Sequence, residues 1–503
     1  MPGGVLGWLD QLAALKGRFG RDEARSTATI LEKLKTARLR DPEQVIRLHE
    51  TVLFLRAYPQ SPRVLRIADQ ILFSFQDRVR GLDPAEFEYA DVSGIAGTGL
   101  STNFSYDIAR SLATRYPRSI RINWEKYAHM DRLGPVLARL LPLAAEDWSV
   151  ESHVDWQRWV EARRGSKNDG DTILWLLKQL QPEIYDLLEI PLRWELGQSG
   201  AARSRTRIPR REIFYHTGPF LKRSGVSIRA EFASPKIPAE RVSRKRAQKV
   251  LDLIADTSAV RYRELYGFSH PDAAHVYHAD LGRGIDFYFF GVPRQSRLPL
   301  RAYHSGMYFK NGVPIGYVEV MSLFERMEVG FNLYYTFREG ETAWLYARLL
   351  KLFHEQLGVT CFSIDPYQIG QDNDEAIESG AFWFYRKLGF RSGSKETEAL
   401  AEREEAKIAR KPGYRTPPSI LRRLAEAPLI YSDAPGRGRE WDRFEIRNVG
   451  YHMARTGEEL DGTMDLLEAK NGPEEKRYLR LLQTDPEFAT LRRQVLTWGS
   501  RKH

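Results

Sequence analysis

Cysteine is nearly absent from this chain: its 503 residues contain one, Cys361. An internal disulfide framework is thereby excluded, and the composition suits a reducing compartment. The lone thiol lies in the apolar run Val359 to Asp365, where a small core residue is expected and not a nucleophile. Long hydrophobic runs are missing as well. No stretch approaches the roughly 20 apolar residues that cross a bilayer. Val5 to Leu15 is broken by Asp10 and Gln11 and has no cationic segment ahead of it, unlike a signal peptide. A cytoplasmic protein without membrane association is the expectation. Histidine is scarce, and His270, His275, His278 and His304 follow no zinc-ligand spacing, so no metal site is expected. A fixed-period repeat is also lacking. Gly94 to Gly99 is glycine-rich, but it has neither the Lys-Ser/Thr of a P-loop nor a preceding strand. It reads as a flexible connection.

What the chain does have is apolar mass: 42% hydrophobic and 12% aromatic residues, including 11 Trp. That composition builds cores, and the length suits roughly three domains. Residues 1–200 read as a mainly α-helical region, with Asp41-Pro42 as a cap and first-turn pair. The segment Ala201 to Arg211 carries Arg203, Arg205, Arg207, Arg210 and Arg211 among small residues, and reads as a mobile, solvated linker. The net charge of +10 permits attraction to polyanions, so nucleic acid is a conceivable partner for these arginines. No aromatic residues interleave with them to stack bases, so support for that partner is weak.

From residue 212 the pattern turns mixed. Ile285 to Val292 and Ala302 to Lys310 read as strands, and Asn311-Gly312 is a two-residue hairpin turn into Ile315 to Met321. In the next strand Met327, Val329, Phe331, Leu333, Tyr335 and Phe337 alternate with Glu328, Gly330, Asn332, Tyr334 and Thr336. The turn Arg338 to Glu341 follows, then a helix with Tyr346, Leu350, Phe353 and Leu357 on one face, ending at Gly358. Val359 to Asp365 is the next strand, stopped by Pro366. Ser379 is positioned to cap an aromatic helix through Phe382, Trp383 and Tyr385 that ends at Gly389. Beyond 395 come a charged helix, Lys395 to Arg410, a Pro/Gly-rich stretch near Ala434 to Gly438, and two helical patterns after Gly472-Pro473.

The order strand–turn–helix–strand–helix, closing on Tyr385, Gly389 and Phe390 with Ala381 four residues before the Tyr, resembles the second half of the GNAT acyltransferase superfamily. The resemblance implies an α+β fold: a GNAT-like mixed sheet flanked by helices over residues 212–395. A large mainly α-helical region precedes it, and 396–503 form a C-terminal extension packed on that domain. It implies acetyl-CoA or another acyl-CoA as cosubstrate, with its pyrophosphate at the turn after the fourth strand. Leu333, Tyr334, Tyr335, Arg338, Gly340, Thr342 and Ala343 would then be the coenzyme-binding residues. The turn departs from the family pattern. Only one glycine is kept, the basic residue is shifted by one position, Thr342 replaces a small residue, and Glu339 and Glu341 lie where phosphate would approach. Glu378 stands where many members have Asn.

Acyl transfer to an amine needs a base, donors to the tetrahedral oxyanion and an acid for the thiolate. Glu328 is the first candidate base and Glu319 the second. Backbone N–H groups of Leu333 to Tyr335 are the expected oxyanion donors, and Tyr385 the acid. The readings are therefore an N-acyltransferase acting on an amine-bearing acceptor the sequence does not name, or a GNAT-fold interaction module without coenzyme binding.

Overall fold

The computed structural model describes residues 4–151, 153–433, 437–457 and 484–500. Most of the Pro/Gly stretch at 434–438 and the first helical pattern after Gly472-Pro473 lie outside them. The chain divides into two compact units. One comprises Met1–Pro209, Tyr215–Gly218 and Val250–Ser269, the other Arg210–Phe214, Pro219–Lys249 and His270–His503.

The first unit opens with helices Val5–Leu15, Arg21–Thr36, Pro42–Ala57 and Pro62–Phe73. Asp41 caps the third by accepting the Glu43 N–H, and Ser61 caps the fourth through the Val64 N–H, which satisfies donors that have no partner within the helix. A small antiparallel sheet follows in the order β1 (Gly99–Thr102), β3 (Leu192–Glu195), β2 (Ile120–Ile122). Strands this short carry too few residues for a period-2 signal, which is why the mainly α-helical reading of residues 1–200 does not include them. Trp194 is fully buried on β3.

Two expectations fail in this unit. Ala201–Arg211 is not a solvated linker along its length: Ala201, Ala202, Ser204 and Thr206 are buried, and Arg203 is 3% exposed. The Arg203 guanidinium is held by Glu50 at 2.6 Å and by the carbonyls of Asp91 and Ser93, a set of acceptors invisible in the local sequence. The Gly94–Gly99 stretch is a packed turn and not a flexible one. Gly94 and Gly97 both have φ of 90°, and a Cβ on Gly97 would sit 2.7 Å from Gln76 Cα. Only glycine tolerates both conditions.

The second unit is α+β, built on a nine-stranded mixed sheet. Its strands are β4 (Ala239–Arg241), β5 (Val276–Gly282), β6 (Ile285–Gly291), β7 (Ala302–Lys310), β8 (Val313–Leu323), β9 (Arg326–Leu333), β10 (Cys361–Ile364), β11 (Arg391–Ser392) and β12 (Leu429–Ser432). They lie in the order β11-β12-β10-β9-β8-β7-β6-β5-β4. Neighbours are antiparallel except β9 and β10, which are parallel. Asn311 and Gly312 join β7 to β8 with φ of 48° and 82°, the left-handed pair a tight hairpin requires. β6 and β7 are buried on both faces, whereas β9 alternates buried and half-buried residues.

The buried face of β9, with Met327, Val329, Phe331 and Leu333, packs on the helix Thr342–Leu357. Tyr346 meets Phe331 at 5.1 Å between ring centroids. Gly358 ends that helix at φ 75°. Ser379 does not cap the aromatic helix: it is the last residue of Asp374–Ser379, and Gly380 at φ 67° separates the two helices. The segment beyond 395 is built into this unit. β12 inserts between β10 and β11. Trp441, Phe444, Val495 and Trp498 form a satellite core with Leu323, Phe324, Cys361 and Ile430. Glu325 ties it down by accepting from Trp441 Nε1 at 3.0 Å and pairing with Arg492. Burial pushes the Cys361 thiol up to about 12, as an unreactive core cysteine requires.

Candidate active site

β9 and β10 run parallel for only three residue pairs, ending at Ser363 opposite Glu328. β10 stops at Ile364, where Asp365 turns the chain by accepting the Tyr367 N–H at 2.9 Å. β9 continues alone on that side to Leu333, still paired to β8. The sheet therefore parts along Val329–Leu333, directly before the turn into Thr342–Leu357. Gly330 lies at the parting; a Cβ there would be 2.9 Å from Gln368 Nε2, so the glycine makes room for that amide.

The N–H of Tyr334 donates to Ile315 of β8 at 3.0 Å. Strand N–H groups alternate in direction, so those of Phe331 and Leu333 face the edge that β10 has left. Of the expected oxyanion donors, Leu333 has its N–H on that open edge and Tyr334 has its N–H engaged with β8; Phe331 also presents its N–H to the open edge. Tyr335 does not continue the strand. It lies in a 3₁₀ turn, Tyr335–Phe337, and is 68% exposed.

At the helix entry, Thr342 Oγ1 donates to the Arg338 carbonyl at 3.1 Å. Arg338 donates to the Leu333 carbonyl at 3.3 Å and pairs with Glu375 while staying half exposed. The N–H groups of Thr342, Ala343 and Trp344 precede the first intrahelical bond, which Leu345 makes to Glu341. One of the two acids of the turn departs from the expectation that both lie where phosphate would approach. Glu341 is turned inward and buried, chelated by Arg283 at 2.6 and 2.7 Å and by the Leu221 N–H at 2.9 Å. Its charge is neutralised within the fold.

The half-buried face of β9 carries the candidate bases. Glu328 lies across from Met321, and Glu319 across from Gly330, so the two carboxylates are diagonal neighbours on one face. Their surroundings differ. Glu328 is held between Arg301 at 3.5 Å and Arg326 at 3.9 Å, and Arg326 also donates to Ser363 Oγ. Among the described residues Glu319 forms no ion pair. Burial raises its carboxyl above the ordinary range, while the Tyr303 hydroxyl, which donates to it, acts to lower it. Tyr303 is the partner that sequence reasoning missed; only the β7–β8 register brings it to Glu319.

Tyr385 sits on the opposite side of the sheet, with Tyr346 at 5.4 Å, Phe384 at 5.1 Å and Phe390 at 5.8 Å. Burial raises its phenol well above the usual value and keeps it protonated. The hydroxyls of Tyr308 and Tyr346 are buried beneath the same face without hydrogen-bond partners among the described residues.

A second constellation, in the first unit, has the geometry of a nucleophile triad. His49 Nε2 lies 2.9 Å from Ser204 Oγ, and His49 Nδ1 lies 2.8 Å from Glu50. Both Ser204 and His49 are fully buried, and Ser204 Oγ already accepts the Ala96 N–H. This is a structural clasp on the 201–206 segment. Burial lowers the His49 pKa, Glu50 opposes that shift, and Arg203 and Arg261 add to it. Folding thus favours neutral His49, and the unfolded chain binds more protons below about pH 6.5, so stability falls as pH drops from there. His49→Gln is expected to flatten the fall in melting temperature between about pH 6.5 and 5. An unchanged slope would assign the acid sensitivity elsewhere.

Among the described residues no cluster of His, Cys, Asp or Glu could hold a metal ion, and no helix is long and apolar enough to cross a membrane. No protein-family model, curated protein or solved structure matches this chain. What the structure shows is an α+β architecture with one parted strand pair in its larger sheet. The functional assignment therefore rests on the chemistry of the site.

Proposed function

We propose that this chain is a GNAT-type N-acyltransferase that takes acetyl or another acyl group from a coenzyme A thioester and transfers it to an amine. The observation that carries the reading is the parting of β9 from β10, the one parallel pair among the described strands of the sheet. The gap opens onto a helix start whose free N–H groups and dipole favour a pyrophosphate. The parting would give a thioester access to both faces of the sheet. Its carbonyl would receive the Phe331 and Leu333 N–H groups, and its neighbours would be Glu319 on one face and Tyr385 on the other.

Glu319 supports the role of base better than Glu328. A carboxylate with a raised pKa is a stronger base near neutrality, whereas Glu328 is committed to two arginines. Tyr385 is the acid we assign to the departing thiolate; burial keeps its phenol protonated and also makes it a weaker donor than a free one. Arg338, Gly340, Thr342 and Ala343 form the turn that would carry the phosphates. The reading of the chain as a non-catalytic module rested on the altered turn, with Glu339, Glu341 and Thr342, and the inward chelation of Glu341 answers it for one of the two acids.

The test is a calorimetric titration with acetyl-CoA and longer acyl-CoAs. Micromolar-range binding is expected, weakened by Gly340→Asp, which places a negative charge at the helix N-terminus. Absence of heat and of any thermal shift at millimolar acyl-CoA would overturn the proposal in favour of the module.

A further inference from the structure

In the first unit the helix Pro62–Phe73 buries Val64, Ile67, Ala68, Ile71 and Leu72 and turns its other face outward. Along that face Arg63, Arg66, Gln70 and Phe73 recur at spacings of three, four and three residues, and all four are exposed. They form one stripe about 15 Å long. The helix has a single carboxylate, Asp69, and two other arginines take it, Arg56 at 2.9 Å and Arg207 at 3.2 Å. Among the described residues Arg63 and Arg66 form no ion pair. The segment with a linker's composition supplies the rest of the surface. Arg207 is half exposed beside Asp69. Arg205 lays its guanidinium over the Phe73 ring at 4.9 Å and donates to the Phe73 carbonyl at 3.3 Å. Phe73 stays 49% exposed. The aromatic ring that the arginines of 201–211 lack in sequence is thus beside them in space.

We propose that this face binds single-stranded nucleic acid, with phosphates on Arg63, Arg66 and Arg207 and a base stacked at Phe73 and Arg205. Five arginines, counting the buried Arg56, meet one aspartate here, so the surface favours a polyanion, which gains affinity by releasing counterions. The exposed ring with a guanidinium on it is a stacking platform, and every base has a π-face to lay against it. A duplex would engage the arginines but offers no unstacked base to Phe73. The proposal does not depend on the acyl-transfer reading; all of its residues belong to the first unit.

The test is fluorescence anisotropy of an end-labelled oligouridylate of about 12 nucleotides, titrated with the full chain across a range of salt. Binding at tens of micromolar is expected near 0.15 M salt, roughly the range of sequence-independent contacts. Three phosphate contacts give a slope of log affinity against log salt of about −2, and the double variant Arg63→Gln with Arg66→Gln should flatten it to about −0.7. Phe73→Leu should weaken binding by about tenfold, whereas Phe73→Tyr, which keeps a ring, should not. Arg63 and Arg66 are exposed, so the melting temperature of the double variant should hold. Removing two exposed arginines of the second unit, Arg443→Gln with Arg455→Gln, controls for bulk charge and should leave the affinity unchanged. No binding at about 100 μM protein, a salt slope unaltered by the Arg63 and Arg66 changes, or equal losses in the control variant would overturn the proposal. So would full affinity in Phe73→Leu, or binding of duplex RNA or phosphatidylserine vesicles as tight as that of the single strand.

Discussion

Replacing Glu319 with glutamine is expected to lower turnover of acyl-CoA and amine by about 10²–10⁴, the contribution of a positioned base, with little change in acyl-CoA affinity. The amide keeps the shape and can still accept from Tyr303, so melting temperature should hold. The pH profile separates a base from a structural carboxylate. Activity needs the ionised form, so the rate should rise with pH through a value above the ordinary carboxylate range, because burial raises Glu319. Tyr303 opposes that shift, so Tyr303→Phe should move the acid limb to higher pH. Glu328→Gln gives the contrast. It releases Arg301 and Arg326, should cost about 1–3 kcal/mol of stability, and should leave the acid limb where it is. Tyr385→Phe should reduce turnover by a similar 10²–10⁴ at nearly constant stability if the phenol protonates the thiolate. A Glu319→Gln enzyme with wild-type turnover and profile would remove Glu319 from the chemistry.

Much of this site was legible in the sequence because its elements follow strong local rules. The alternation from Met327 to Leu333, the Asn311-Gly312 turn and the Gly358 stop each specify a local conformation, and all three are present. Local rules failed where partners come from far along the chain. Ala201–Arg211 has a linker's composition, yet Arg203 is buried because Glu50 lies against it. The period-2 pattern through Tyr335 and Phe337 continued on paper past the true strand end, since a 3₁₀ turn also buries Phe337. Choosing between Glu319 and Glu328 needed the register of three strands. Both look like polar residues on a half-buried face, and only their neighbours, Tyr303 for one and two arginines for the other, tell them apart.

Glu341→Ala is expected to destabilise the second unit by about 3–5 kcal/mol, the cost of leaving the buried Lys310 and the partly buried Arg283 without their counter-charge. The carboxylate is 5% exposed and binds Arg283 and the Leu221 N–H. It also acts on Lys310, which is fully buried, lies 4.7 Å from the Phe214 ring centroid and donates to the Arg283 carbonyl. Burial lowers the Lys310 pKa to about 7, with Glu341 raising it and Arg283 and Arg210 lowering it. A lysine depressed on folding binds fewer protons in the native state from pH 7 to its unfolded value near 10.4, so wild-type stability should climb across that window. Removing Glu341 deepens the depression. The loss should therefore be largest at or below pH 7 and smaller near pH 10, where Lys310 is neutral in both variants. Lys310→Met should recover part of it at neutral pH, with a coupling of about 0.5–3 kcal/mol in a double-mutant cycle of denaturant unfolding. A loss independent of pH and additive with Lys310→Met would mean that Glu341 serves Arg283 alone. The same substitution bears on the coenzyme, because Glu341 fixes the entry of the Thr342–Leu357 helix. Acyl-CoA affinity measured on the folded fraction should fall although a negative charge has been removed, the reverse of what a carboxylate opposing the phosphates would give.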